Sequence, residues 1–413
     1  MSERNRKFRV AVRQFEPFSL AMEHAWAGFC NAEGIDGVEL EAVSLDLHPL
    51  YESLVTQQGA SNGDWDVAFC PTDWLAALHA DNLLVDLAPY IAQSPPQDFP
   101  DGWAPSLLQM QVFGDAVLGL PYHDGPECLI YRTDLFNDPV HQQAFRSEYG
   151  RSLTVPRTWN DFVDTARYFH NPEAGLYGTV LAGYPDAHNT IYDFHLQVWT
   201  RGGSVLTDEG AVQLDTPEAV ASLNFYRDLI QDDSLIHPQS RKLDSVASGL
   251  EFAQGRIAMM VNWFGFASMC ETIPESEVKG NVAITTLPSA TGNESTSLNI
   301  YWVLAIPTSC PNADLAYRFM RHCASPAEDK NLTLGGGIGC RRSTWLDADV
   351  NQQIPFYRDM ESLHAVAREL PRLSNWPRVT EVIDGLMLAV VNTDEPVASL
   401  IGRFQDQLAS LGR

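Results

Sequence analysis

Basic residues are scarce in this chain: 27 Lys and Arg stand against 53 Asp and Glu in 413 residues, a formal net charge of −26. A surface of that sign repels phosphate backbones and anionic lipid, which excludes nucleic acid and membrane surfaces as partners. An uncharged small molecule stays open. Long apolar runs are missing as well, since no stretch approaches the roughly 18–20 apolar residues a membrane-crossing helix needs. The beginning, MSERNRKFRVAVRQF, passes from a basic start directly into an alternating strand pattern, without the apolar h-region and small-residue cleavage site of an export signal. As written, the chain is expected to stay in the cytoplasm.

Paired cysteines are lacking too. The seven, at 30, 70, 128, 270, 310, 323 and 340, are odd in number, widely spaced and mostly in apolar context. They read as structural thiols of a reducing compartment, not as a disulfide framework. No CxxC or HExxH supports a metal site, and no GxSxG offers a nucleophile. GGGIGC lacks the Lys-Ser/Thr of a P-loop and the strand-to-helix setting of a dinucleotide fingerprint. No cofactor is called for. The sequons at Asn293 and Asn331 are chance matches, and there is no internal repeat or low-complexity linker.

What is present is core material. With 45% hydrophobic residues in 413, the chain exceeds what one core usually supports, so two interleaved lobes are expected. RKFRVAVRQF, VELEAVSL and WDVAFC read as strands, with helices over about 19–32, LYESLVTQQGA and WLAALHADNLL between and after them. Strands alternating with helices predict a parallel sheet with crossovers, whose ligands sit beyond the carboxyl ends of the strands. Gln14-Phe15-Glu16 and Thr72-Asp73-Trp74 fall there. The middle, about 155–270, reads as mainly helical; TPEA is a helix start with Thr216 as cap. IAMMVNWFGF reads as a buried strand ending at Asn262-Trp263. LNIYWVLAIP is a strand, ADLAYRFMRHCAS a helix, LTLGGGIGCRRS a glycine-rich loop, and the end from about Thr380 is helical. GLPYHDGPECLIY sets a polar knot, Tyr122-His123-Asp124-Gly125, between two apolar runs, more chemistry than a tight turn requires.

In this order the segments resemble the extracellular solute-binding proteins of ABC transporters, specifically the family 1 carbohydrate-binding group with the maltose- and trehalose-type receptors. The resemblance runs through DVAFCPTDWLAALHADNLLVDLAPYI, LGLPYHDGPECLIYRTDLF, PRTWNDFVDTARYF, GGSVLTDEGAVQLDTPEAVASLNFYRDLI, FAQGRIAMMVNW and WVLAIPTSCPNADLAYRFMRHCASP, nearly the whole chain. It implies a periplasmic-binding-protein-like fold, two α/β lobes with hinge crossings around a cleft. The lobes are expected at 1–124 plus 302–343 and at 125–301 plus 344–413, with the polar knot at the first crossing. It also implies a receptor that closes over a mono- or oligosaccharide or glycoside and hands it, as a monomer, to an ABC permease outside the cytoplasmic membrane, at odds with the missing signal. Two other readings remain, a glycoside-cleaving enzyme using paired carboxylates among Glu16, Asp73, Asp124 and Glu127, and a cytoplasmic sugar sensor.

A pyranose needs polar rims for its hydroxyls and an indole for its C–H face. The ligand candidates are Glu16, Asp73, Tyr122, His123, Asp124, Asn262, Trp263, Asn299, Tyr301, Trp302, Arg341 and Arg342. Asn189 and Asp193, in HNTIYD, are further candidates. Each has a plainer role: Glu16 and Asp73 suit helix N-termini, His123 a hinge hydrogen bond, and the arginines ion pairs. Trp74, Trp199 and Trp345 are expected in the core. An arginine pair with no lysine nearby suits a carboxylate or sulfonate as readily as a hydroxyl.

Overall fold

The computed structural model describes residues 6–185, 188–293 and 295–411; the first five residues, on which the expectation about export partly rests, lie outside them. The strands that frame the fold are, in chain order, β1 Arg6–Arg13, β2 Val38–Leu45, β3 Val67–Pro71, β4 Leu120–His123, β5 Glu127–Arg132, β6 Met259–Trp263, β7 Val282–Thr285, β8 Ser297–Leu298, β9 Trp302–Ala305 and β10 Ala367–Arg368. The helices needed below are α1 Glu16–Glu33, α2 Asn189–Trp199, α3 Pro217–Gln231, α4 Ala313–Cys323 and α5 Pro326–Leu334.

The chain divides into two compact units. The first holds the residues up to Gly125 with Ile300–Glu361 and Arg372–Trp376; the second holds Pro126–Asn299, Ser362–Pro371 and the residues from Pro377 on. Two stretches expected in the second lobe, residues 344–361 and 372–376, fall in the first unit. Packing gives the reason. Trp345 donates its indole N–H to Gly339 O at 2.9 Å, and Gly339 N–H donates to Tyr357 Oη at 2.8 Å. Both aromatic residues are buried and brace the glycine-rich loop of their own unit.

In the first unit the sheet order is β2-β1-β3-β9-β4. Alternation in RKFRVAVR puts Phe8, Val10 and Val12 in the core. β1 pairs in parallel with β2 and β3, while β9 runs antiparallel to β3 and β4. The carboxyl ends of β1, β3 and β4 and the beginning of β9 therefore share one edge. α1 begins three residues earlier than its pattern suggests, because Pro17 fits a first turn, where its missing N–H costs nothing, and Glu16 complements the dipole there. It buries Phe18, Met22, Ala25, Trp26 and Phe29, one stripe at helical spacing, and ends at left-handed Gly34.

In the second unit an antiparallel sheet of order β6-β5-β7 pairs Glu127 with Trp263 and Cys128 with Asn262. Thr216 caps α3 through Ala219 N–H, as TPEA predicts. LNIYWVLAIP is not one strand: Ser297–Leu298 pairs with β10 in the second unit, and Trp302–Ala305 belongs to the first. Trp74, Trp199 and Trp345 are buried as expected, and all seven cysteines are free. No helix among the described residues is long and apolar enough to cross a membrane.

Candidate functional site

Each unit gathers its polar and aromatic candidates at one edge. In the first unit, Trp302 opens β9 with Pro71 on one side and His123 on the other. Glu16 and Phe15 follow β1, the Phe15 ring 41% exposed; Asp73 lies in the single helical turn Thr72–Trp74 after β3. Trp302 is half-buried and meets Trp74 edge-on at 6.4 Å. Glu16 is exposed, Asp73 half-buried and Asp124 buried. The edge thus combines three carboxylates with two accessible rings. Arg13, beside it, is occupied by Asp46 at 2.8 Å.

The glycine-rich loop reaches this edge. Ile338 N–H donates to His123 Nδ1 at 2.9 Å, and Asp124 N–H donates to Ile338 O at 2.9 Å. That exchange explains the polar knot at the end of β4. Burial pushes the His123 imidazole down to about 4, against the pull of Asp124. Behind the loop, buried Asp329 accepts from Cys340 N–H at 2.8 Å and Arg341 N–H at 3.2 Å, yet desolvation still pushes it up to about 6.

Four candidates are corrected by their surroundings. Arg341 is 1% exposed; its guanidinium donates to Ala324 O at 2.9 Å and Gln97 O at 3.0 Å, pairs with Asp98 at 3.2 Å and lies 4.2 Å from the Trp103 ring centroid. It is an internal strut held at both terminal nitrogens, with only the buried Nε left without a hydrogen-bond partner. Tyr301 is fully buried and hydrogen-bonded to Leu107 O and Gln111. Tyr122 packs among Phe18 and Phe69 in the core. Asn262 spends its amide on Ser245 O and Ser248 Oγ and its oxygen on Trp263 N–H. Arg342 keeps a half-exposed side chain, 3.4 Å from Glu361.

In the second unit, Trp263 ends β6 opposite Glu127, half-buried, with Tyr192 of α2 edge-on at 5.5 Å. Asn262 orients this tryptophan through the backbone bond just described. Glu127 is buried, and desolvation together with nearby Asp193 raises its carboxyl well above the usual range. Burial, together with nearby Asp193, raises the Tyr226 hydroxyl as well. Asn299, next to β8, is 1% exposed, and neither atom of its amide has a hydrogen-bond partner among the described residues. Such an amide costs about 1–3 kcal/mol unless a ligand or water completes it. Asn189 is buried at the start of α2. The Glu127–Asp193 proximity and Tyr192 carry no sequence signal, because strand and helix meet only in the fold.

Two further cavities are unlike these edges. One in the second unit, lined by Asp193, Tyr226, Trp159 and Gln197, has about 10 Å³, room for about one water. The other, of about 290 Å³ in the first unit, lies by Phe29 and Arg318, whose guanidinium is already paired with Glu33 and Asp314. Among the described residues no cluster of His, Cys, Asp or Glu could hold a metal ion.

A second neutral histidine allows a test of burial. His195 in α2 donates from Nδ1 to Ile191 O at 2.8 Å, and burial pushes it down to about 4. An unfolded imidazole titrates near ~6.5, so its stabilisation is complete above that pH and lost as pH falls through the folded value, about 3 kcal/mol in all. The wild-type stability margin over His195→Gln is therefore expected to shrink by that amount between pH 7 and 4 in urea titrations. A margin independent of pH would contradict a neutral buried ring.

A family model described as "Bacterial extracellular solute-binding protein" matches residues 33–330. A "Probable ABC transporter-binding protein" of Deinococcus radiodurans is 23% identical over 373 residues, covering 86% of this chain and 82% of the relative. Among solved structures, maltose-bound MalE3 of T. maritima aligns with a TM-score of 0.84 at 22% identity, covering 98% of this chain and 99% of that one. A solute-binding protein of Agrobacterium radiobacter K84 in complex with ribitol gives 0.84 at 22% identity with full coverage of both. The fold is that of these two-lobe α/β binding proteins.

Proposed function

Because the chain belongs to the bacterial extracellular solute-binding protein family, we propose that it is a carbohydrate receptor that captures an uncharged sugar or sugar alcohol and delivers it to an ABC permease. The observation that carries this reading is the carboxyl edge of the first unit, where Glu16, Asp73, His123, Asp124 and Trp302 converge from four strand ends. Carboxylates accept from hydroxyls, and rings cover C–H faces. Trp263, Glu127 and Asn299 supply the same chemistry from the second unit, with Glu127 in its neutral form able to donate.

Charge selects within the class. Arg341 is consumed by its own unit and Arg342 stands beside Glu361, so an acidic sugar would meet carboxylates without a compensating cation. The ligands named for similar structures, maltose and ribitol, are uncharged. The receptor works outside the cytoplasmic membrane, as its family does, and as a monomer. Binding without chemistry is the expected activity; nothing in the comparisons favours the cytoplasmic sensor.

A thermal-shift screen of maltose, ribitol, other alditols and ketoses, glucuronate and a sugar phosphate tests this. At a hundredfold excess over Kd a neutral ligand should add about 2.7 kcal/mol of stability, and chromatography should return it intact. Stabilisation by the acidic sugars alone, or recovery of a cleaved sugar, would overturn the proposal.

A further inference from the structure

The imidazole at the edge of the first unit has its tautomer set by the backbone. Ile338 N–H, which can only donate, lies 2.9 Å from His123 Nδ1. Nδ1 therefore carries no proton, and a neutral ring must carry it on Nε2. The ring sits edge-on to Phe18, with centroids 4.7 Å apart. The hydrogen bond of this ring among the described residues is at Nδ1, and none is made at Nε2. A fixed N–H donor thus belongs to the same sheet edge as Glu16, Asp73 and Asp124, whose carboxylates in the ionised state only accept.

Ile338 is held in turn from below. Gly339 N–H donates to Thr333 Oγ1 at 3.0 Å and to Tyr357 Oη at 2.8 Å, while Asp329 takes the next two backbone N–H groups. The approach is so close that a Cβ on Gly339 would stand 2.4 Å from Asp329 Oδ2. This accounts for a glycine in the loop where no phosphate motif exists. Asp124 N–H on Ile338 O closes the connection back to the strand end.

We infer, building on the carbohydrate reading, that His123 donates from Nε2 to a ligand oxygen, and that Asp329 is the positioning residue that keeps it in this tautomer and place. A hydroxyl that gives its proton to a neighbouring carboxylate leaves its oxygen lone pairs for this donor. The knot therefore favours ligands whose hydroxyl can bridge His123 and a carboxylate, and disfavours the deoxy analogue, which would leave the Nε2 donor without its acceptor.

Two isosteres separate the ring's two roles. Asn at 123 places an amide oxygen near Nδ1 and keeps the Ile338 bond but has no group at Nε2; Gln at 123 places an amide nitrogen near Nε2. With maltose and ribitol as calorimetric probes, His123→Asn should weaken binding about tenfold or more while melting near the wild type. His123→Gln should stay within about threefold of it. In 15N-detected imidazole spectra, wild-type Nδ1 should be unprotonated and Nε2 protonated at pH 7, with Nε2 shifted by ligand. Asp329→Asn, or the milder Tyr357→Phe should the first not fold, should move the His123 nitrogen signals and weaken binding. A protonated Nδ1, unchanged signals in both loop variants, or equal affinity of His123→Asn and wild type would overturn the inference and leave the receptor standing. If no neutral sugar or alditol binds the wild type, the carbohydrate reading falls and the donor role with it.

Discussion

Replacing Trp263 by Ala is expected to weaken sugar binding by about a hundredfold, the ~3 kcal/mol that truncating a central aromatic anchor costs, while the melting temperature of the ligand-free protein changes little. Three observations set this size. The indole stands at the end of β6, half-buried, so part of it is accessible, unlike the buried Trp74, Trp199 and Trp345. Its place is held by Asn262 Oδ1 on its backbone N–H at 2.8 Å and by Tyr192 edge-on at 5.5 Å, so little entropy remains to be lost on binding. Glu127 faces it across the strand pair, putting a hydrogen-bonding group beside a stacking surface. Calorimetry with the best ligand of the screen decides: an affinity within about threefold of wild type would remove the stacking role, and a collapse in melting temperature would make the residue part of the core.

How much of this was legible in the residues differs by kind of signal. β1 and β2 could be read to within a residue or two because alternation over eight positions has no competing helical reading, and α1 because its apolar stripe is long. Trp263 was legible as the aromatic that closes a buried strand. The knot at 122–125 announced itself as too polar for a plain turn, but its partner, Ile338, is apolar and acts through its backbone, which leaves no mark in composition. Glycines 336, 337 and 339 advertise a loop, while the anchor Asp329 sits in the preceding helix, looking like any helical acid. Residue pattern alone reads LNIYWVLAIP as one strand, because no Gly or Pro marks the point where the chain leaves one unit for the other; only the family resemblance placed a boundary there. Charge misled most: two adjacent arginines read as surface or ligand groups, and the sequence does not say that the first of them lies in a carbonyl-lined interior.

That arginine carries the other large prediction. Arg341→Ala is expected to destabilise the protein by about 3–5 kcal/mol, the range for removing one member of a buried charged network. The Asp98 pair contributes little of this, since that carboxylate is 60% exposed and screened. The loss comes from elsewhere: Ala324 O and Gln97 O are left without their donors, and the space beside Trp103 is left empty. Gly102 shows how closely the site is packed, for a Cβ there would fall 2.6 Å from the guanidinium. Arg341→Lys should recover only part of the loss, because one ammonium cannot span both carbonyls in the plane a guanidinium offers. Sugar affinity, measured well below the melting point, should stay close to wild type in the lysine variant. Urea unfolding separates the outcomes. A variant as stable as wild type that no longer binds sugar would return Arg341 to the ligand, and with it the possibility of an acidic substrate.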